Sequence, residues 1–316
     1  MIKEILLIVF GFVLLIKGAD FLVDGASSVA KKFHIPEIVI GLTIVSIGTS
    51  MPELFVSTTS ALQGSADMSI GNIIGSNVCN LLLILGLSAA ISPVRFQKST
   101  THIEIPMCFA ITLVFLAMSN TSQMLSRLDG IILLVLFVGF IGYTLYVAKK
   151  GVADAPEEEA QDSKSKNSVV KDIILIVVGI AALKFGGDLT VDNAVVIAEH
   201  LGISEKVIGL TILAFGTSLP ELVTSVMAAI KGNDDIAIGN IIGSNIFNML
   251  MIIGLTACLT PLSYNVSYNI QLYILLFALI LLEVFAFTKP KGQMNRLNGI
   301  IYVCLYGAYL ALLFVI

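Results

Sequence analysis

The feature that most constrains this chain of 316 residues is a gapless internal repeat. Residues 37–94 and 205–262 align without an insertion and are identical at 32 of 58 positions. After one insertion the similarity resumes at residues 126–132 and 295–301. This pattern indicates that one half of the chain was duplicated, so the two halves are expected to share a fold.

Hydropathy places both halves in a membrane. The chain is 57% hydrophobic and 13% charged, whereas a soluble domain has roughly 45–50% apolar and about 25% charged residues. Because a helix of about 20 apolar residues spans the hydrocarbon core, the sequence predicts an all-α, polytopic membrane protein with ten transmembrane helices. The first apolar run is long and has no small-residue cleavage site, so it is interpreted as a helix and not as a signal peptide. The predicted spans are 4–22, 38–62, 69–90, 104–119, 128–148, 171–189, 206–230, 237–258, 269–287 and 297–315.

An acidic and polar segment divides the chain. Residues 151–168 contain few large apolar side chains and are interpreted as a solvated linker. A first five-helix repeat therefore covers residues 1–150, and a second covers residues 169–316. Because five is an odd number, the two halves must enter the membrane from opposite sides. This predicts inverted repeats, a plan that many secondary transporters share.

The distribution of Lys and Arg gives the predicted orientation, since these residues are enriched in cytoplasmic loops. With the N-terminus outside, thirteen basic residues fall on the cytoplasmic side and three fall outside. We therefore expect a multi-pass protein of the cell inner (plasma) membrane, with both termini outside and the linker in the cytoplasm. The cytoplasmic set is Lys31, Lys32, Arg95, Lys98, Lys149, Lys150, Lys164, Lys166, Lys171, Lys231, Lys289, Lys291 and Arg296, and the outer set is Lys3, Arg127 and Lys206.

A proline and an acid recur in the middle of two predicted spans, within GTSMPE at 48–53 and GTSLPE at 216–221. Pro52 has no backbone N–H for the carbonyl of Gly48, and its ring clashes with that carbonyl. The span is therefore expected to break or kink there and to expose carbonyl oxygens. Exposed backbone at this depth is tolerated only where it is buried in protein or lines a wet cavity.

Glu53 and Glu221 lie about halfway along their predicted spans, where an ionised acid costs about 2.5–3.5 kcal/mol. The structural alternative is a protonated glutamate that is hydrogen-bonded to a neighbouring helix. That alternative accounts poorly for two acids at matching positions of inverted repeats, because symmetry brings both to one central point. A functional site is therefore predicted around the two glutamates.

Hydroxyl and amide side chains accompany the two acids at spacings of three and four residues, which place them on one helix face. The first repeat contributes Ser46, Thr49, Ser50, Glu53 and Ser57, and the following span contributes Asn72, Ser76 and Asn80. The second repeat contributes Ala214, Thr217, Ser218, Glu221 and Ser225, followed by Asn240, Ser244 and Asn248. The alternative role of Asn72, Asn240, Asn77 and Asn245 is hydrogen bonding between helices. The GxxxG spacing in GNIIGSN, at 71–77 and 239–245, is interpreted as close helix packing.

The predicted centre offers only oxygen ligands, and the sulfur of Cys79 is expected to point elsewhere. Oxygen ligation suits hard cations, and Ca²⁺ takes about six to eight oxygens in flexible geometry. Two carboxylates would be balanced by one Ca²⁺ or by two or more Na⁺. An empty site with two charges would be costly to carry through a closed, dry intermediate, which favours obligatory exchange.

Two further acid pairs lie near the ends of the first and sixth predicted spans. They are Asp20 with Asp24 and Asp188 with Asp192. One interpretation is that these aspartates line an ion access path. The other is solvation and pairing with nearby charges at a helix end.

The paired hexapeptides, each followed by GNIIGSN and then by Asn80 or Asn248, resemble the two α-repeats of the Ca²⁺/cation antiporter superfamily. Within it, the chain is most similar to the prokaryotic Na⁺/Ca²⁺ exchangers, over essentially all ten spans. The resemblance implies that cytoplasmic Ca²⁺ is exchanged for external Na⁺ while spans one and six slide over a fixed core. Some members of the family have Asp where this chain has Asn248, so one possible charge is missing here. The resemblance implies ion-binding side chains at Thr49, Ser50, Glu53, Ser76, Asn80, Thr217, Ser218, Glu221 and Ser244, and ion-binding backbone carbonyls at Ser46 and Ala214.

The sequence therefore predicts a secondary active antiporter that exchanges Na⁺ for Ca²⁺ by alternating access at a central two-glutamate site. The alternative is a Ca²⁺/H⁺ antiporter in which the two glutamates take protons. An intramembrane hydrolase is disfavoured because His34, His102 and His200 fall near span ends or in loops. A channel would not need matching broken helices around a charged centre. The ions are transported and are not cofactors, and beyond the lipid bilayer we expect no resident cofactor, no nucleic acid and no obligate protein partner.

Overall fold

The computed structural model describes residues 2–153, 166–201 and 214–313, and these residues are mostly helical. The helices are α1 (Ile2–Lys32), α2 (Glu37–Thr49), α3 (Met51–Leu62), α4 (Ala66–Ile91), α5 (Thr100–Ser122), α6 (Arg127–Ala153), α7 (Lys166–His200), α8 (Ala214–Gly216), α9 (Leu219–Ile230), α10 (Asp234–Leu259), α11 (Val266–Phe287) and α12 (Arg296–Leu313). Four strands of two residues each lie in the loops between these helices: β1 (Val94–Arg95), β2 (Met124–Leu125), β3 (Leu262–Ser263) and β4 (Gln293–Met294).

Within the described residues, seven helices are long and apolar enough to cross a membrane: α1, α4, α5, α6, α10, α11 and α12. The bent pair α2 and α3 counts as an eighth span. The predicted span 171–189 lies within the 35 residues of α7. The predicted span 206–230 begins outside the described part of the chain, as does most of the linker at 151–168. The helical membrane fold is therefore confirmed, and the count of ten spans stays a prediction.

The short strands pair antiparallel between the two halves of the chain. Val94 of β1 lies opposite Met294 of β4, and Leu125 of β2 lies opposite Leu262 of β3. The sequence did not predict these strands, because two residues carry no periodic signal. The pairs connect the loop after α4 to the loop before α12, and the loop after α5 to the loop after α10.

The two equivalent helices α4 and α10 lie at the centre of the molecule. In their apolar spans, 78% of the residues of α4 and 83% of those of α10 are buried, whereas 17% are buried in α6. Helix α10 also packs closely on α2, because a Cβ atom on Gly239 would lie 3.0 Å from the Cα atom of Gly41. The interpretation of GNIIGSN as a close-packing motif is confirmed for this copy.

Helices α1 and α7 form a second closely packed pair. A Cβ atom on Gly18 would lie 2.9 Å from the carbonyl oxygen of Gly179, so neither position has space for a side chain. At one end of this pair, Lys32 forms a salt bridge with Asp172, which also accepts a hydrogen bond of 2.9 Å from Ser28. The contacts join α1 and α7 along much of their length.

Candidate functional site

The first GTSMPE copy breaks its helix as the sequence predicts. Helix α2 ends at Thr49 and α3 begins at Met51, and the two axes differ in direction by 49°. Ser50 between them has φ −84° and ψ 11°, outside the α-helical region, and Pro52 lies in the first turn of α3. Proline is tolerated there because the first amides of a helix have no intrahelical acceptor. The break therefore lies just before the proline and within the motif.

The second copy has the same local geometry. Ser218 has φ −88° and ψ 5°, α9 begins at Leu219, and Pro220 lies in its first turn. Helix α8 starts at Ala214, and the segment before it is outside the described residues. Two serines at equivalent positions therefore mark the two helix breaks.

The glutamates that follow these breaks are fully buried and accept hydrogen bonds from the opposite repeat. Ser50 donates to Oε1 of Glu221 at 2.8 Å, and Ser218 donates to Oε1 of Glu53 at 3.4 Å. Ser76 also donates to Oε1 of Glu53, at 3.2 Å. Each carboxylate is thus held by a serine from the other half of the chain.

Further hydroxyl contacts extend this cluster. The hydroxyls of Ser50 and Ser244 lie 3.0 Å apart, and those of Ser76 and Ser218 lie 3.1 Å apart. All four serines are buried, with at most 2% of their surface exposed. The predicted serines and glutamates of both repeats therefore meet in one buried cluster.

The two threonines of the repeated hexapeptides, Thr49 and Thr217, lie beside the serine–glutamate cluster and bond to asparagines. Thr49 donates to Oδ1 of Asn240 at 3.1 Å, and Thr217 donates to Oδ1 of Asn72 at 3.4 Å. A hydroxyl that donates its hydrogen keeps its oxygen lone pairs. The threonine oxygens can therefore still act as ligands. The two asparagines orient them, which supports the hydrogen-bonding interpretation of Asn72 and Asn240.

The backbone carbonyl of Ser46 already has protein partners. It accepts from the amide of Ser50 at 3.0 Å and from the hydroxyl of Thr49 at 3.3 Å. The hydroxyl of Ser46 donates to the carbonyl of Leu42 at 2.8 Å and so bonds its own helix. In this conformation Ser46 stabilises the end of α2, although the sequence predicts it as an ion ligand.

Four asparagines join α4 and α10 beside the glutamates. Asn77 and Asn245 each donate to the backbone carbonyl of the other, at 3.2 and 3.3 Å. Asn80 donates to Oδ1 of Asn245 at 3.0 Å, and Asn248 donates to Oδ1 of Asn77 at 2.9 Å. The predicted helix-to-helix role of Asn77 and Asn245 is confirmed.

Both asparagine pairs lie where α4 and α10 change from α to π geometry. The π turns cover Cys79–Ile84 in α4 and Asn248–Ile252 in α10. Such turns are often found at functional sites. The local widening therefore occurs at matching places in the two repeats and next to the carboxylate cluster.

Four oxygens of this region have no hydrogen-bond partner among the described residues, although they are buried. They are Oε2 of Glu53, Oε2 of Glu221, Oδ1 of Asn80 and Oδ1 of Asn248. Buried acceptors are normally paired, and an unpaired one costs about 1–3 kcal/mol. All four belong to predicted ion-binding residues and form two equivalent sets, one in each repeat.

The expectation that the sulfur of Cys79 points away from the centre is wrong. The thiol is buried and lies near the side chains of Ser218 and Tyr306. Cys79 follows Ser76 by three residues, so the two are neighbours on the surface of α4. Sequence reasoning also missed Tyr306, because α12 lies far away in the chain and its repeated segment ends at residue 301, before Tyr306.

A cation in this cluster would rely on the two carboxylates and on neutral oxygens. Among the described residues, no three His, Cys, Asp or Glu side chains lie close enough together to hold a metal ion. Hydroxyl, carboxamide and carboxylate oxygens are the ligands of hard cations such as Ca²⁺ and Na⁺. The geometry is therefore suited to reversible binding of a hard cation.

Comparison with known proteins gives one family across both halves. Residues 3–146 and 171–315 match the family described as sodium/calcium exchanger protein. The putative antiporter CaxA of Alkalimonas amylolytica is 38% identical, with 99% of each chain covered. The sodium/calcium exchanger MaX1 of Methanosarcina acetivorans is 33% identical, with 98% of each chain covered.

Solved structures agree with this result. The sodium-calcium exchanger NCX_Mj, soaked with Na⁺ and Ca²⁺, superposes with a TM-score of 0.85 at 34% sequence identity. The same protein soaked with Na⁺ and Sr²⁺ gives a TM-score of 0.87 at 33% identity. In both cases 98% of each chain is covered, so the likeness extends over the whole fold.

Proposed function

The chain belongs to the sodium/calcium exchanger protein family and is a membrane cation antiporter, and we propose that it exchanges Na⁺ for Ca²⁺ at the cluster around Glu53 and Glu221. The observation that carries this proposal is the set of four buried oxygens that have no hydrogen-bond partner among the described residues, two from these glutamates and two from Asn80 and Asn248. A bound cation would satisfy all of these acceptors. The remaining ligands are the hydroxyls of Ser50, Ser76, Ser218, Ser244, Thr49 and Thr217, with the carbonyl of Ala214 and, in exchange for its present hydrogen bonds, the carbonyl of Ser46.

The charge of the site supports coupled exchange. Two fully buried carboxylates that have serine donors, and no cationic hydrogen-bond partner in the described part of the chain, need about two positive charges. One Ca²⁺ or two or more Na⁺ supply them. Two ionised glutamates without a bound cation cost much free energy in a low-dielectric interior. The protein would therefore pass between its two access states only when cations occupy the site.

The identity of the ions is also supported by the relatives. MaX1 is named a sodium/calcium exchanger, and the NCX_Mj crystals were soaked with Na⁺ together with Ca²⁺ or Sr²⁺. Sr²⁺ is a hard divalent cation like Ca²⁺ and prefers oxygen ligands. The same chemistry fits the oxygen-rich cluster of this chain.

Ten spans in two inverted repeats complete the proposal, with both termini outside and the linker at 151–168 in the cytoplasm. In this topology, the loops joined by β1 and β4 lie on the cytoplasmic side, and those joined by β2 and β3 lie outside. Each observed strand pair thus joins loops on one face of the membrane. Equivalent halves facing opposite sides would give alternating access to a shared centre.

Flux into proteoliposomes tests the ion coupling. The purified protein is reconstituted in vesicles loaded with Na⁺, and ⁴⁵Ca²⁺ uptake is measured after dilution into a Na⁺-free buffer at clamped pH. We expect rapid uptake that disappears when Na⁺ is equal on both sides.

The same vesicles address the Ca²⁺/H⁺ alternative. A pH gradient is imposed with K⁺ and nigericin in the absence of Na⁺, and uptake should stay near the level of protein-free vesicles. Uptake that follows only the pH gradient would overturn the proposed Na⁺ coupling and favour the alternative.

A further inference from the structure

Lys231 joins the two repeats at a place that the ion site does not use. It directly follows α9, and it forms salt bridges with both Asp20 and Asp24 on α1, the second at 2.6 Å. Its ammonium group also donates to the backbone carbonyl of Asp20 at 3.3 Å. Burial lowers the pKa of Lys231, but the hydrogen bonds and negative charges of the two aspartates outweigh it and raise the pKa above its ordinary value. The lysine therefore stays charged at neutral pH.

Among the described residues, the other half of the chain shows no equivalent contact. In the repeat register, Asp188 and Asp192 on α7 correspond to Asp20 and Asp24, and Gln63 corresponds to Lys231. Asp188 pairs instead with Lys184 of its own helix, at 2.7 Å. Both partners there are about half exposed, at 50% and 49%, whereas Lys231 and Asp20 are 23% and 31% exposed. The predicted pairing with a nearby charge is thus confirmed for Asp188, although α7 continues past it to His200, while Asp20 and Asp24 make a contact between helices.

The packing of the helices also differs between the two halves. Helix α1 lies along α9, whereas the described residues of the equivalent helices α7 and α3 do not pack along each other. Two halves with similar sequences therefore have different arrangements. In a second arrangement, in which the two halves exchange these contacts, α7 would lie along α3, and α1 would have to leave α9. We call this the exchanged arrangement.

A contact that restrains the position of α1 also restrains α7, because the two helices pack closely against each other. The backbones approach at Gly18 and Gly179, and Lys32 and Asp172 form a salt bridge between the helices. A contact that holds α1 in place therefore restrains the pair. Lys231 is in turn continuous with α9, which carries Glu221.

We propose that Lys231 is a one-sided latch that holds α1 against α9 and stabilises the observed arrangement over the exchanged one. The inference depends on the proposed function only in requiring that the protein alternates between the two arrangements. It explains why a basic residue is present at position 231 and a neutral one at position 63. Opening the latch would be one step in the movement of α1 and α7.

Hydrogen–deuterium exchange of the full-length protein in lipid nanodiscs tests this latch. Exchange of protected amides reports the population of locally opened states. In Lys231→Gln, which places the residue of the other repeat at this position, we expect amides of residues 17–28 to exchange about two- to fivefold faster, the range of a partly exposed salt bridge. Lys231→Arg should keep the rate of the unmodified protein, because it retains the charge and the donors.

The matched control is Lys184→Gln, which removes the salt bridge within α7. It should leave exchange in residues 17–28 unchanged. Equal exchange in Lys231→Gln and the unmodified protein, or an equal rise in Lys184→Gln, would overturn the latch. If Lys231→Gln is poorly folded, Asp24→Asn provides the second variant, and it should give a smaller increase because Asp20 remains paired. These measurements need no transport, so they stand apart from the flux experiment on Na⁺ and Ca²⁺.

Discussion

At the scale of single residues, each carboxylate depends on the other half of the chain. The hydroxyl of Ser50 holds Glu221, and the hydroxyl of Ser218 holds Glu53. Both contacts cross between the halves, and Glu53 has a further donor, Ser76, in its own half. One oxygen of each glutamate is thereby fixed, and the second oxygen, Oε2, is available for a cation.

The first prediction is that Glu53→Gln or Glu221→Gln lowers Na⁺-driven Ca²⁺ uptake by about 100-fold or more. Glutamine has nearly the same shape and can still accept from the serines, but it removes one negative charge. Loss of one partner from a buried charge interaction costs ~3 kcal/mol or more, and each ~1.4 kcal/mol is a factor of ten. Initial rates of ⁴⁵Ca²⁺ uptake and thermal unfolding, measured on the same preparations, separate transport from folding.

Glu104→Gln is the matched control for these variants. Glu104 is also a buried acid, with 1% of its surface exposed, and it accepts a hydrogen bond from Tyr143 away from the cluster. Its variant should transport within about twofold of the unmodified protein, since neutral substitutions of this kind leave the ion site intact. Normal uptake in both site variants, or an equal loss in Glu104→Gln, would contradict the assignment of Glu53 and Glu221.

The sequence predicted that Glu53 and Glu221 meet at one central point, because chemistry and symmetry agreed there. An acid in a membrane span is expensive, and a second copy at Glu221 made a chance explanation for Glu53 poor. Cys79 was misplaced because a thiol has weak hydrogen-bonding preferences, and its neighbour Tyr306 lies beyond the repeated segment at 295–301. The partners of Ser46 also required the actual path of the backbone at the break.

At the scale of elements, the broken helix is what brings Glu53 and its neighbours to the centre. Its position followed from proline chemistry, but its angle of 49° depends on what packs against α2 and α3. The π turns at Cys79 and Asn248 were not predicted, because an extra residue in a turn leaves no simple periodic signal. The two-residue strands escaped prediction for the same reason.

The second prediction is that Pro52→Ala lowers Ca²⁺ uptake by roughly tenfold or more. Alanine restores a backbone donor and favours continuation of α2 into α3. Such a helix would turn Ser50 and Glu53 away from their present positions. Uptake should therefore fall while the thermal unfolding temperature stays the same or rises, which would distinguish lost geometry from lost stability.

Pro106→Ala is the control for the helix break, because Pro106 also lies in the first turn of a helical segment, at the start of the α-helical part of α5. It is remote from GTSMPE, so it should change uptake by less than about twofold. A similar loss in both variants would indicate a general effect of proline on folding. Full transport in Pro52→Ala would show that the break is not required.

At the scale of the whole molecule, the halves are interleaved and do not sit side by side. Strand pairs, asparagine contacts and serine–glutamate contacts all cross between them. The sequence predicted a helical membrane protein with two similar halves, since hydropathy and the repeat are strong signals. It could not predict that α1 packs along α9 while α7 does not pack along α3, because similar sequences give the same expectation for both halves.

The third prediction concerns orientation and uses cysteines on the loops joined by the strand pairs. Lys98→Cys and Lys291→Cys lie on the face proposed to be cytoplasmic, and Thr121→Cys and Ser267→Cys lie on the opposite face; all four positions are exposed. A membrane-impermeant maleimide should label the first two in inside-out vesicles and the last two in right-side-out vesicles. Cys258 and Cys304 are replaced first, whereas Cys79 and Cys108 are buried and can stay.

The labelling separates the arrangement of the loops from their orientation. The paired strands require Lys98 and Lys291 to share one face and Thr121 and Ser267 to share the other. The charge bias decides which face is cytoplasmic. If both pairs label together but from the opposite sides, the fold stands and the orientation is wrong. If Lys98→Cys and Lys291→Cys label from different sides, the proposed ten-span topology itself fails, and with it the inverted symmetry by which the two halves would take turns in opening the site around Glu53 and Glu221.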